Sequence, residues 1–138
     1  MKTKKLMIIF CIAALCSTSG LALAGLRFTE EIFVNDNYKT AGGTMTDARS
    51  SADTRQFIGC YHWSTTSVGG APLQGFCQAS NSAGLTRSCS TTNSNLIQSI
   101  RSISSESYIN FTWNTDGTCG YVFVSNNSYY KPASATGF

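Results

Sequence analysis

From Tyr108 to Ser125 the chain reads YINFTWNTDGTCGYVFVS, apolar and polar positions alternating on either side of Asp116-Gly117. Period two is the mark of a half-buried strand, and Asp-Gly favours the tight turns of β-hairpins. With those two residues as the loop, Trp113 falls opposite Gly120, Phe111 opposite Val122 and Ile109 opposite Val124. One face then carries Ile109, Phe111, Trp113, Val122 and Val124, apolar enough for a core wall. The other carries Tyr108, Asn110, Thr112, Cys119, Tyr121 and Phe123.

Upstream, Arg55 to Ser64 (RQFIGCYHWS) predicts a strand with Phe57, Gly59, Tyr61 and Trp63 on one side and Ile58, Cys60 and His62 on the other. Gly69-Gly70 and Pro72 place a loop over Thr65 to Pro72. Leu73 to Ser80 and Leu85 to Thr91 predict a hairpin across Asn81 to Gly84, so three successive strands form a meander. The period then changes: Leu96, Ile97, Ile100 and Ile103 share one helical face, predicting a short helix over about 94–103 capped by Asn93 or Ser94. So short a helix must dock its isoleucines on the sheet to persist. Between Lys39 and Thr54 the composition predicts a turn at Gly42-Gly43, a brief edge strand at Thr44 to Thr46, and no helix longer than a turn. The fold class expected is α+β, mainly β: an antiparallel sheet of about five or six strands with one short helix.

The first residues belong to a different class. Lys2, Lys4 and Lys5 precede an apolar run, Leu6 to Leu15, too short to span a bilayer, and Ala22-Leu23-Ala24 follows as a small-x-small cleavage site. Residues 1–24 therefore read as a signal peptide, and residues 25–138 as a single domain without stable membrane anchoring. Removing the three lysines cancels the whole-chain charge of +3. The remaining cations are scattered, which argues against nucleic acid as a partner. Cys11 and Cys16 leave with the signal, and Cys60, Cys77, Cys89 and Cys119 remain. Four cysteines in an exported chain predict two disulfides in one of three connectivities. Cys60–Cys77 with Cys89–Cys119, and Cys77–Cys89 with Cys60–Cys119, are both feasible. The first is preferred because it ties the helix-bearing segment to the final hairpin.

Four runs carry a resemblance: GTMTDARSSADTRQFIGC (Gly43 to Cys60), FCQASNSAGLTRSC (Phe76 to Cys89), SYINFTWNTDGTC (Ser107 to Cys119) and VSNNSYYKP (Val124 to Pro132). Together they resemble a group of small exported proteins of Gram-negative bacteria whose function is uncharacterised. The resemblance implies export and a shared disulfide framework, and brings no catalytic residue, ligand or cofactor with it.

Candidate chemistry is sparse. His62 is the single histidine, so it is the one general-base candidate of ordinary pKa. No G-x-S-x-G elbow accompanies it, and a structural His62 is the simpler expectation. Asp116 reads as a turn residue and Glu106 as a connector rather than as a glycosidase pair. Neither C-x-x-C spacing nor an acidic cluster suggests a metal, so no metal and no cofactor is expected. Aromatics are in excess. Tyr61, Trp63, Tyr108, Tyr121 and Phe123 are the candidate ligand-binding residues, a platform for sugar rings or for a partner protein if left uncovered. The expectation is that the helix or the N-terminal strand covers the Tyr108/Tyr121/Phe123 face, because a two-layer domain must bury something. These features point to an exported, non-enzymatic binding module, periplasmic or extracellular, whose partner is an extracellular glycan or protein. The alternatives are an inhibitor using the Thr65 to Pro72 loop, and a small hydrolase or toxin using His62.

Overall fold

In the computed structural model, which describes residues 28–64 and 73–130, the chain forms two antiparallel sheets. Its elements are β1 (Phe33–Asn35), β2 (Thr40–Thr44), α1 (Met45–Ser50), β3 (Phe57–Trp63), β4 (Gln74–Ser80), β5 (Thr86–Thr91), α2 (Ser94–Arg101), β6 (Tyr108–Trp113), β7 (Cys119–Ser125) and a 3-10 turn (Ser128–Tyr130). One sheet has the order β1-β2-β6-β7 and the other β3-β4-β5. The fold is mainly β and antiparallel, with a short helix and two disulfides, as the pattern predicts. Among the described residues the strands number seven, divided between two sheets rather than five or six in one. The segment read above as a signal peptide and the loop predicted over Thr65 to Pro72 lie outside the described residues. Among the described residues no helix is long and apolar enough to cross a membrane.

The extra strands come from the Gly-rich segment. Gly42 and Gly43 do not turn the chain; they lie inside β2, between β1 and β6. The reason is close cover. A β-carbon on Gly42 would lie 2.8 Å from the Phe33 ring and 2.7 Å from the Asn110 amide, so only glycine lets those side chains cross the strand. Thr44 ends this inner strand, and Met45 and Thr46 open α1 rather than an edge strand. The Thr44 hydroxyl accepts from the Asp47 N–H at 3.1 Å and donates to its carboxylate at 2.5 Å. Asp47 also accepts from the Glu30 N–H at 2.7 Å, which ties the N-terminal arm to the helix start. This reciprocal capping sustains a six-residue helix where no helix longer than a turn was expected.

The meander forms as predicted, its second turn closed by Gly84 N–H on the Asn81 carbonyl at 2.8 Å. The predicted helix is α2, capped by the Asn93 side chain and burying Ile97 and Ile100. In the last hairpin Ile109 pairs with Val124 and Phe111 with Val122, as expected. Trp113, however, pairs with Cys119 rather than Gly120. The turn spans Asn114 to Thr118, closed by Asn114 N–H on the Thr118 carbonyl at 2.9 Å, and Gly120 is left over as a bulge. The bulge reverses the alternation for one residue. Cys119, expected beside Tyr121, therefore turns into the core, where it is 7% exposed.

The inner faces of both sheets meet in one core: Ile58, Cys77, Ala79 and Cys89 from one, Ala41, Ile109, Phe111 and Val122 from the other. Full burial of a side chain such as Phe111 or Ile109 contributes about 1.5–3 kcal/mol. Cys60–Cys77 bridges two directly paired residues of adjacent strands. Cys89–Cys119 joins one sheet to the other. The preferred pairing is thus the one formed, and it suits an oxidising compartment.

Candidate functional site

Strict alternation outside the bulge decides what each outer face presents. On the four-stranded sheet the register aligns Phe33, Gly42, Asn110 and Phe123 in one row, and Asn35, Thr40, Thr112 and Tyr121 in the next. The rows put two exposed rings, Tyr121 and Phe123, at the β7 side and Phe33 at the β1 side. Amides and hydroxyls lie between them. The Asn110 amide donates to the Thr40 hydroxyl at 3.2 Å, and that hydroxyl donates to the Phe111 carbonyl at 3.3 Å. The polar centre of the face is therefore held rather than loose.

The Tyr121 and Phe123 rings lie 6.4 Å apart and within 6° of parallel. They are 46% and 43% exposed, so the expectation that the helix or the N-terminal strand covers this face is overturned for both. The cause is the position of α2, whose isoleucines enter the core between the sheets instead. Tyr108 alone is covered. Asn127 accepts from the Tyr129 N–H at 3.3 Å, and the turn so made lays Tyr130 on Tyr108 with ring centres 5.1 Å apart. Tyr129 packs edge-on against Phe28, whose N–H donates to the Tyr129 carbonyl at 3.2 Å. Burial pushes the Tyr108 phenol above its ordinary pKa, and the Glu30 carboxylate adds to the shift. It stays neutral in ordinary conditions and closes one end of the platform.

Tyr61 and Trp63 are not part of this face. They lie on the outer side of the three-stranded sheet, where Tyr61 packs 5.6 Å from Trp63 and 5.2 Å from Phe76. The five candidate ring residues therefore divide into two patches on two sheets. Phe33, missed in the sequence, joins the first patch; only its register with Gly42 reveals it.

His62 is exposed and pairs with Gly75. Among the described residues no hydroxyl or carboxylate makes a hydrogen bond to it, so no nucleophile–base pair is assembled there. A hollow of about 600 Å³ is bordered by Glu31, Asp47, Ser51, Asp53, Gln56 and Ser82. Two of its carboxylates are already engaged: Asp47 caps α1, and Asp53 accepts from the Arg55 and Gln56 N–H groups and the Gln56 amide at 2.7–2.9 Å. Those bonds, the Gln56 amide first, hold Asp53 below the usual carboxylate range. Among the described residues no group of three His, Cys, Asp or Glu side chains is placed to hold a metal ion. Compared with protein-family models, curated proteins and solved structures, the chain finds no match.

Proposed function

We propose that the chain is an exported binding protein, without catalytic activity of its own, that takes a carbohydrate chain across the outer face of the four-stranded sheet. The observation that carries this reading is the pair of exposed, near-parallel rings of Tyr121 and Phe123 beside Asn110 and Thr112, with Asn110 held by the Thr40 hydroxyl. A sugar ring has an apolar face that stacks on aromatic carbon and an equatorial rim of hydroxyls that needs amides and hydroxyls. Flat rings flanked by amides meet both demands at once. Export is supported by the signal-like first 24 residues and by the two disulfides, which call for an oxidising compartment. It also accords with the resemblance to small exported Gram-negative proteins. The periplasm or the extracellular space is the expected site of action.

Binding to insoluble polysaccharides, chitin and peptidoglycan among them, tests the proposal by depletion of the oxidised protein from solution. Wild-type protein is expected to bind, and Tyr121→Ala or Phe123→Ala to weaken binding by about three- to tenfold each, since ring stacking contributes roughly 0.5–1.5 kcal/mol. Tyr61→Ala, on the other sheet, is the control and should bind as wild type. Polysaccharide binding indifferent to Tyr121 and Phe123, or absent throughout, would sink the reading.

A further inference from the structure

Tyr108 ends the platform within the sheet, but the rings laid on it carry an aromatic surface further. Between ring centres, Phe123 lies 6.3 Å from Tyr108, Tyr108 5.1 Å from Tyr130, Tyr130 6.5 Å from Tyr129 and Tyr129 5.5 Å from Phe28. With Tyr121 at its start, six rings run in unbroken contact from β7 through the Ser128–Tyr130 turn to the N-terminal arm. Each spacing lies in the range over which aromatic pairs attract. Hydrogen bonds fix the far end. Phe28 N–H donates to the Tyr129 carbonyl at 3.2 Å, Tyr130 N–H to the Asn127 carbonyl at 3.2 Å, and Glu30 N–H to the Asp47 carboxylate at 2.7 Å.

A clasp that served only to tie the two segments together would hide its rings. Here the middle pair, Tyr108 and Tyr130, is half-buried, while Tyr129 and Phe28 stay 38% and 47% exposed, much as Tyr121 and Phe123 do at the other end. Exposed rings held in place in one continuous patch mark a surface for a ligand. The strip also turns. Tyr121 and Phe123 are within 6° of parallel, but Tyr108 is rotated 67° from Phe123 and Tyr129 83° from Tyr130. A flat, packed fibre cannot lie along both ends at once, whereas a single glycan chain can turn at each glycosidic bond. Neither β7 nor the Ser128–Tyr130 turn carries a charge, and the Glu30 carboxylate lies close enough to Tyr108 to act on its phenol. Such a surface suits neutral sugars and repels anionic ones.

We infer that Phe28, Tyr129 and Tyr130 form further sugar subsites, continuous with Tyr121 and Phe123, for a single neutral glycan chain several units long. Granted the reading of Tyr121 and Phe123 as a sugar platform, on which this rests, those two rings seat a disaccharide and the outlying rings seat the units that follow. The phenol hydroxyls of Tyr129 and Tyr130 supply donors and acceptors to the sugar rim there.

Calorimetric titration of the oxidised protein with soluble linear oligomers of glucose and of N-acetylglucosamine, from the disaccharide to the hexasaccharide, tests the extension. In wild type the affinity is expected to climb with length, about three- to tenfold for each further ring engaged. Tyr129→Ala and Phe28→Ala should each bind the disaccharide as wild type does and lose that factor with the hexasaccharide. Tyr129→Phe keeps the ring and should keep the length dependence, while Tyr121→Ala should weaken both ligands alike. Should Tyr129→Ala disturb the turn, Phe28→Ala, which leaves Tyr129 and Tyr130 in the chain, still decides. Affinity that stops rising at the disaccharide, or a length dependence that survives both alanine variants, overturns the inference and leaves the proposed function standing. Binding to an insoluble polysaccharide with no oligomer bound does the same. Failure of every oligomer and every polysaccharide to bind refutes both.

Discussion

A β-carbon built on Gly75 lies 2.7 Å from Ile100 Cδ1, 3.2 Å from Thr91 Cγ2 and 3.3 Å from Ile97 Cγ1, whereas one built on Gly59 meets nothing within 4 Å. Gly75 is where α2 touches the sheet, and its missing side chain is the socket into which the helix isoleucines settle. Gly75→Ala must push α2 outwards or force Ile100 off its rotamer, at a cost of about 1–3 kcal/mol. Gly59→Ala sits on an outward-facing, open position of β3 and should change stability by less than about 0.5 kcal/mol, or raise it slightly by restricting the unfolded chain. Urea unfolding of the two variants beside wild type measures the difference, and equal losses would mean that α2 is not seated on Gly75. Nothing in the sequence separates these two glycines, because both interrupt an otherwise apolar strand. Phe33 was hidden for the same reason. Its side chain acquires a role only when β1 pairs with β2 and sets it over Gly42.

Among the elements, those with long and regular patterns were legible and those held by side-chain contacts were not. The faces of β6 and β7 follow from period two, and α2 follows from the spacing of Leu96, Ile97, Ile100 and Ile103. The bulge at Gly120 was not legible, since a single inserted residue leaves the alternation on either side intact. Thr44-x-x-Asp47 was a readable cap signal that the Ser, Thr and Gly around it obscured. The connection from α1 to β3 is held chiefly through Asp53, which receives three hydrogen bonds from Arg55 and Gln56. Gln56 in turn accepts from the Ile32 N–H at 3.0 Å, so the carboxylate also steadies the arm before β1. Asp53 and Asp116 are both held below the ordinary aspartate range, Asp53 first by the Gln56 amide and Asp116 first by the Thr118 hydroxyl. A depressed carboxylate contributes stability that is present above the unfolded value of about 3.9 and lost as pH falls through the folded value. Thermal midpoints followed from neutral pH to below about pH 3 should therefore decline in wild type and decline less in Asp53→Asn, which has no charge to lose. Parallel decline of the two would mean that Asp53 contributes nothing to the acid limb.

At the scale of the whole molecule the division into two sheets is the feature that alternation could not supply. Period two says which side chains are buried but not against which sheet, and a meander followed by a helix and a hairpin suits one sheet as well as two. The cysteines carried the missing information in part, since the preferred pairing linked the meander to the last hairpin across α2. The two bridges close loops of 17 and 30 residues, for which chain entropy alone gives about 3 and nearly 4 kcal/mol. Their real effects should differ by more than that. Cys60–Cys77 duplicates a connection that the β3–β4 ladder already makes along seven paired residues. Cys89–Cys119 joins surfaces that otherwise share packing, the bond from Ser90 N–H to the Gly117 carbonyl at 3.0 Å, and the exposed ion pair of Arg87 with Asp36. An exposed ion pair contributes at most about 1 kcal/mol. Replacing Cys89 and Cys119 together by alanine should therefore cost about 4–5 kcal/mol, against about 2–3 for Cys60 and Cys77. The loss should also be local in character. The Ser90 amide is expected to lose hydrogen-exchange protection well before the amides of β6 do, because the sheets part before either one unravels. Equal losses from the two double variants, with Ser90 as protected as in wild type, would mean that the inter-sheet core holds the layers together without help from sulfur.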